Sequence, residues 1–272
     1  MKSTTILILL CSSIACSTTY SEKSNSKSAY FFVSDIPLPE GYHAEQNDSN
    51  SFASYLLKLP IKQDDTVRLY NGQPKANQGN HFAVLQMDVG NRDLQQCADA
   101  AIRLRAEYLF SQRRHGDISF HFTSGHEVTW SAYLKGMRTK VSGSEVRFER
   151  TARYDSSYSN FRKYLDVIFT YCGTASLPQD LNKTAQDSIK AGDIYLQTSR
   201  PYGHAVTVMA TAKNEKGQMT FLLAQSYMPA QSIHILKNLG DPEISPWFTM
   251  DDAKALYTPE WTFPAGSRYS WK

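Results

Sequence analysis

The sequence predicts an α+β protein, in which helices and antiparallel strands occupy different parts of the chain. Two observations carry this. Apolar residues recur at helical spacing in DLQQCADAAIRLRAEYL (from Asp93) and SNFRKYLDVIFTYCG (from Ser159), both before the last third. That last third instead holds short apolar runs broken by turn residues, chiefly GHAVTVMATA and MTFLLAQSYM around KNEKGQ. With 272 residues, 41% hydrophobic and 20% charged, the chain can bury a proper core. A net charge of +3 is too slight to point to nucleic acid.

The N-terminus is read apart from the fold. Lys2 followed by Ile6–Leu10 (ILILL) forms a positive and then an apolar region, as in an export signal. SSIAC ends in small residues before Cys16 and resembles a bacterial lipobox, with Ser13 at its outer position. Cys11 fits worse because Leu10 precedes it. The expectation is a signal peptide over 1–15 and lipidation of Cys16, with plain secretion as the alternative. Loss of 1–15 removes only Lys2, taking the balance from +3 to about +2. The polar, Ser-rich residues 16–28 read as a tether, and 29–272 as a single domain. No later stretch approaches the roughly 18 apolar residues that span a bilayer.

Along the domain, Ser34–Tyr42 is extended and Pro-rich, and Ser51–Ile61 predicts a short helix with Phe52, Tyr55, Leu56 and Leu59 inward and Pro60 as its stop. TVRLYNGQPKANQGN predicts a strand and turns, and His81–Gly90 another strand. The next helix is expected to take Asp93 as N-cap with Gln96 at N3 and to run to about Gln112. Leu94, Cys97, Ala98, Ala101, Leu104 and Tyr108 would share one face, and Arg103 and Glu107 would pair on the other. The helix from Ser159 places Phe161, Tyr164, Leu165, Ile168 and Phe169 inward and Cys172 at its C-terminal end. AGDIYLQ predicts a strand, the hairpin follows, and SPWFTMDDAKALYTPEWTF is expected to pack irregularly over the core.

Cys97 draws attention because a helix N-terminus favours a thiolate. A thiol nucleophile needs a base and a group to orient it. His204, at the mouth of a strand after Gly203, is the candidate base. Folding the hairpin with Lys213 opposite Gln218 puts His204 opposite Tyr227 and Gln225 on the same face, one diagonal away. Gln225 could then hold the imidazole tautomer, and a one-residue slip would offer Ser226 instead. The other readings of Cys97 are a buried inert thiol or a disulfide with Cys172. His121 and His126 lack ligands at metal spacing, and His234 reads as structural, with a substrate contact near the hairpin as the alternative. Trp130, Tyr133, Trp247 and Trp261 read as core or cleft packing, with sugar stacking as the alternative.

This order of residues resembles the papain-like hydrolases of bacterial cell walls, the NlpC-type and CHAP-type amidases and endopeptidases. Gln96–Cys97 opening a helix is similar to the CHAP nucleophile site, and AGDIYLQTSRPYGHAVTVM to the Gly-Asp and Gly-His strands these enzymes share. The resemblance implies a papain-like core with the nucleophile helix on an antiparallel sheet. It also implies a large insertion over about 113–180, all-helical around Trp130 and Tyr133 as one alternative; the residues themselves, from His115 to Arg153, read as short strands such as ISFHFT mixed with the aromatic stretch VTWSAYLKGMR. Cys97 would be the nucleophile, His204 the base and Gln225 its orienter, with no cofactor or metal. The Cys97 N–H and the Gln96 or Gln95 side chain would meet the oxyanion, with Ser226 and Tyr227 beside them. The substrate class implied is an envelope amide such as a peptidoglycan stem peptide. A thiol acyltransferase and a non-catalytic envelope module are the competing expectations. Over a greater length, DVGNRDLQQCADAAIRLRAEYL, LLAQSYMPAQSIHILKN and TPEW resemble an uncharacterised bacterial family of exported proteins, domain of unknown function 4846.

Overall fold

The structure is a computed structural model, and it describes residues 28–184, 188–251 and 253–272. Residues 1–15 and Cys16, with the expected signal and lipidation site, lie outside the described residues.

In chain order, β1 (Tyr42–Ala44) precedes α1 (Phe52–Leu57), β2 (His81–Val84) and the long helix α2 (Cys97–Ser111). Then come β3 (Ser119–His121), β4 (Glu127–Thr129), α3 (Trp130–Leu134), β5 (Met137–Ser142), β6 (Glu145–Arg150) and α4 (Tyr158–Tyr171). The sheet-forming part continues with β7 (Leu181–Lys183), β8 (Ile194–Gln197), β9 (His204–Asn214), β10 (Met219–Gln225) and β11 (His234–Leu236). The chain closes with β12 (Phe248–Thr249), β13 (Leu256–Tyr257), β14 (Thr262–Phe263) and β15 (Arg268–Trp271). The main sheet runs β2-β11-β10-β9-β8-β15-β7, with β1 on β9 and β12 on β10, and its pairings are antiparallel. The molecule is therefore mixed α+β with a largely antiparallel sheet.

The sheet is covered on both faces. Helices α1 and α2 pack Leu56, Ala100 and Leu104 against Met209, Ala210, Ala212, Leu222 and Ala224. Small residues on β9 let the helix approach closely, and an extra residue at Met209 reverses the facing of the strand, so that Val206 and Val208 lie on the other face. There they meet Tyr195, Phe221, Leu223 and Phe263. A third apolar cluster joins the inner face of α4 (Phe161, Tyr164, Leu165, Ile168) to α2 and to Trp130, which is fully buried. The five residues expected to face inward from α4 are all buried.

Several expectations need correction. Helix α2 starts at Cys97, with Gln96 as N-cap, so Asp93 and Leu94 lie ahead of it. The carboxylate that closes the first turn is Asp99, which accepts from Gln96 N at 3.0 Å. Arg103 and Glu107 do pair, at 2.9 Å, but both are buried rather than on a wet face. Arg103 is held there by Asp88 and by Gln95 Oε1, so the charge is compensated inside. The all-helical alternative for segment 113–180 fails, while the short strand read in ISFHFT is present as β3. The segment holds the two hairpins β3–β4 and β5–β6 besides α3 and α4. Thr66–Tyr70 makes single bridges (Arg68 with Pro74, Leu69 with Gln231) instead of a strand. The stretch expected to be irregular is partly regular, since β12 joins β10 and β13 pairs with β14; beyond it β15 enters the main sheet between β8 and β7.

Candidate functional site

The site forms where the N-terminus of α2 meets the start of β9 and the end of β10. Cys97 is the first residue of the helix and is 7% exposed. Its thiol donates to Gly203 O at 3.9 Å, and the Ala205 backbone amide also faces the sulphur. The sulphur therefore rests against the peptide groups on both sides of His204. Cys97 and Cys172 are both free thiols, which removes the disulfide alternative. Cys172 instead caps α4 and donates its thiol proton to His121 O at 3.2 Å.

Gly203 is required at this junction by close packing. A Cβ there would lie 2.3 Å from Gln197 O and 2.6 Å from Thr174 Oγ1. The His204 ring is 1% exposed, with its centroid 4.9 Å from that of Tyr227 and 5.1 Å from that of Trp261. Its Nε2 lies 2.8 Å from Gln225 Oε1. Gln225 Nε2 donates to Glu260 Oε2 at 2.5 Å, and Lys75 Nζ meets Glu260 Oε1 at 2.5 Å. The same amide nitrogen is 3.4 Å from His234 Nε2, while His234 Nδ1 lies 2.8 Å from Ser232 O.

The His204–Gln225 juxtaposition agrees with the sequence reading although the register behind it differs. Lys213 pairs with Met219, not Gln218, so the hairpin starts one residue out of the expected register. A bulge on β9 then restores it. Leu222 faces Ala210 while Leu223 faces Val208, leaving Met209 as the extra residue. Beyond the bulge Ala224 faces Thr207, the offset that carries His204 towards Tyr227.

The other expected site residues divide. Tyr227 lies over the His204 ring, and burial, with Glu260 and Cys97 nearby, raises its phenol above the ordinary value. Ser226 points elsewhere. Its hydroxyl lies 2.8 Å from Gln95 O and 2.9 Å from Gln231 O, tying the segment ahead of Cys97 to the end of β10. Gln96 spends its amide nitrogen on Asp93 Oδ1 at 3.1 Å. Gln95 is fully buried, and Arg103 Nη1 donates to its Oε1 at 2.5 Å. A guanidinium only donates, so the carbonyl end of Gln95 is fixed and its Nε2 is left buried without a partner. Asp193 of the Gly-Asp pair is structural here, receiving Arg268 Nη1 at 2.9 Å.

The electrostatics oppose a resting thiolate. Burial, with Asp99 next in order, pushes the Cys97 thiol up to about 11, outweighing the amides of Ala98, Ala205 and Cys97 itself. The helix N-terminus alone predicted the opposite sign. Burial likewise pushes His204 down to about 4, against the pull of Gln225 and Glu260. At neutral pH the resting pair is a neutral thiol and a neutral imidazole. Sequence reasoning missed Lys75, Asp99 and Glu260. TPEW, quoted above as a shared stretch, contained the signal for Glu260 and for Trp261, whose Nε1 donates to Gln197 Oε1 at 2.9 Å.

The model of the family described as Domain of unknown function (4846) matches residues 33–268. The chain belongs to this family. The matched range takes in every element from the turn at Val33 to the first residue of β15, and with them Cys97, His204, Gln225 and Glu260. Membership therefore applies to the whole site and the whole sheet rather than to one motif. No curated protein matches the chain, and no solved structure does. Among the described residues no group of His, Cys, Asp and Glu could hold a metal ion, and no helix is long and apolar enough to cross a membrane.

Proposed function

We propose that this protein is a papain-like thiol hydrolase of the bacterial envelope, cleaving an amide bond. The observation that carries the reading is the seat of the Cys97 sulphur against both peptide groups flanking His204, with Gln225 Oε1 on Nε2 of that ring. Because the pair is neutral at rest, the thiol proton passes to His204 Nδ1 only as sulphur attacks the carbonyl carbon. The oxyanion is met by the N–H of Cys97 at the helix start and by Gln95 Nε2, a donor with no partner among the described residues. His204 then protonates the leaving amine, giving a thioester. A water attacks that thioester, losing its proton to His204, and the acid leaves as the thiol reforms. With an amine in place of water the same steps transfer the acyl group. By resemblance to cell-wall hydrolases the substrate class is a peptidoglycan stem peptide, and Cys16 carries the lipid that tethers the enzyme to a membrane.

A second reading has its own support. A thiol pushed up to about 11 beneath Tyr227, beside an imidazole that is 1% exposed, suits a non-catalytic module that retains the fold.

Digestion of purified muropeptides separates the two. Hydrolysis by the wild type that is absent from Cys97→Ala and His204→Ala supports the enzyme. Intact muropeptides, together with equal and slow iodoacetamide labelling of Cys97 in wild type and His204→Ala, would leave the binding module. Mass spectrometry of the membrane-extracted protein, with Cys16→Ala as control, tests the lipid.

A further inference from the structure

A side-chain amide fits its site almost equally well either way round, so the direction of its hydrogen bonds is decided by its partners. Between His204 and Gln225 alone there is no decision. The ring N–H could donate to Oε1, or the amide N–H could donate to a bare ring nitrogen. These alternatives put the imidazole proton on opposite nitrogens, and only one leaves Nδ1 free to accept. What breaks the tie lies one shell further out.

We propose that Glu260 is a positioning residue, whose acceptor-only carboxylate sets the direction of the hydrogen bonds running through Gln225 to His204 and thereby keeps His204 Nδ1 unprotonated. Glu260 Oε2 is 2.5 Å from the Gln225 amide nitrogen, and its other oxygen holds the Lys75 ammonium, which supplies the counter-charge. A carboxylate cannot donate, so the nitrogen end of Gln225 must face it. His234 reinforces this choice. Its Nδ1 faces the Ser232 carbonyl, which also only accepts, so the proton of this neutral ring sits on Nδ1 and Nε2 is bare. That bare nitrogen faces the second N–H of Gln225. Both amide protons are thus committed, Oε1 is turned to His204, and the His204 proton must sit on Nε2. The titratable groups around this chain are Lys75, Glu260, His234, His81, Tyr227 and Cys97.

The inference rests on the reading of His204 as a base for its consequence, but its test does not need turnover. In the full chain labelled with nitrogen-15 histidine, the His204 ring signals, assigned with His204→Gln, report which nitrogen is protonated. The wild type is expected to show a single Nε2–H form. Glu260→Gln keeps the shape but lets position 260 donate, so a mixture of both tautomers is expected. Lys75→Met removes the cation and keeps the acceptor, so Nε2–H is expected to persist. The double swap Glu260→Gln/Gln225→Glu returns an acceptor-only group to the chain and is expected to restore the Nε2–H form.

An unchanged tautomer in Glu260→Gln, or an equal change in Lys75→Met, overturns the proposal. If Glu260→Gln fails to fold, a folded double swap carrying Nδ1–H overturns it, and one carrying Nε2–H supports it. A wild type with the expected tautomers that never cleaves muropeptides refutes the hydrolase and leaves the positioning role intact. A wild type that cleaves them while Glu260→Gln keeps both its tautomer and its pH profile does the reverse.

Discussion

Replacing Gly203 by alanine tests the junction on which the site depends. Its backbone is not in the left-handed region, so any penalty comes from space rather than from dihedral strain. The added Cβ would sit 2.3 Å from Gln197 O, 2.6 Å from Thr174 Oγ1 and 3.0 Å from Thr174 Cβ. The first of these is roughly 1 Å short of ordinary contact, and the atom met is a backbone carbonyl, not the free end of a side chain. Gln197 pairs with His204 between β8 and β9, so relief has to come from opening the end of that pairing. Overpacking of this kind costs about 1–3 kcal/mol. The entropy that alanine removes from the unfolded chain offsets about 0.4–1 kcal/mol of it. A net loss of about 1–2 kcal/mol corresponds to a fall in melting temperature of roughly 2–8 °C for a chain of this size. Calorimetry on wild type, Gly203→Ala and Gly116→Ala measures it, since a Cβ at Gly116 meets nothing within 4 Å and that variant should show the entropic gain of about 0.4–1 kcal/mol alone. Gly203→Ala melting within about 1 °C of the wild type would refute the packing argument. The same variant should alter Cys97 alkylation, because the Gly203 carbonyl that receives the thiol has to move.

Acid should weaken the fold through two buried imidazoles. His204 and His234 are held at about 4 and about 3 against 6.5 when exposed, both by burial first. Their contribution is complete above pH 6.5 and is lost as pH falls through the folded values, because only the unfolded chain takes up protons in that window. Urea unfolding at pH 7 and pH 4.5 should show His204→Gln losing about 2–3 kcal/mol less than the wild type; equal losses would contradict this. Ser226→Ala should cost about 1–3 kcal/mol by chemical denaturation, since it strips the hydroxyl from two buried carbonyls; a neutral result would mean water replaces it. Arg268→Met leaves Asp193 buried without that cation and should cost about 3–5 kcal/mol, with Asp193→Asn in the same background recovering part of it.

What could be read from the sequence followed the range of the interactions involved. Helix α4 was legible because a clean apolar stripe is a local signal. Helix α2 was legible in its body but not at its start. Asp93 has the side chain of an N-cap, yet it receives the Gln96 side chain locally and Ala230 N at 2.7 Å, the latter a contact made by the tertiary fold. The facing of His204 and Gln225 came out as expected because an error of one residue at the turn is cancelled by the bulge at Met209, and nothing in the alternation of VTVMATA announces that bulge. The thiol's perturbation was misjudged because a helix terminus can be seen in sequence and burial cannot. Glu260 and Lys75, far apart in the chain, meet only once the tail folds back.

The order in which the sheet is wired has a consequence for how the molecule assembles. Hairpins β3–β4, β5–β6 and β9–β10 close over short loops, so their loop-closure cost is small and their partners meet early. His204 and Gln225 belong to one such hairpin. Cys97 does not. Its helix must be brought to that hairpin across a separation of 106 residues to Gly203, alongside the still more distant pairing of β2 with β11. During refolding, amides of β9 and β10 should therefore become protected from exchange before the Cys97 thiol becomes protected from alkylation. Histidine and amide are in place first, and the sulphur arrives with the last long-range contacts.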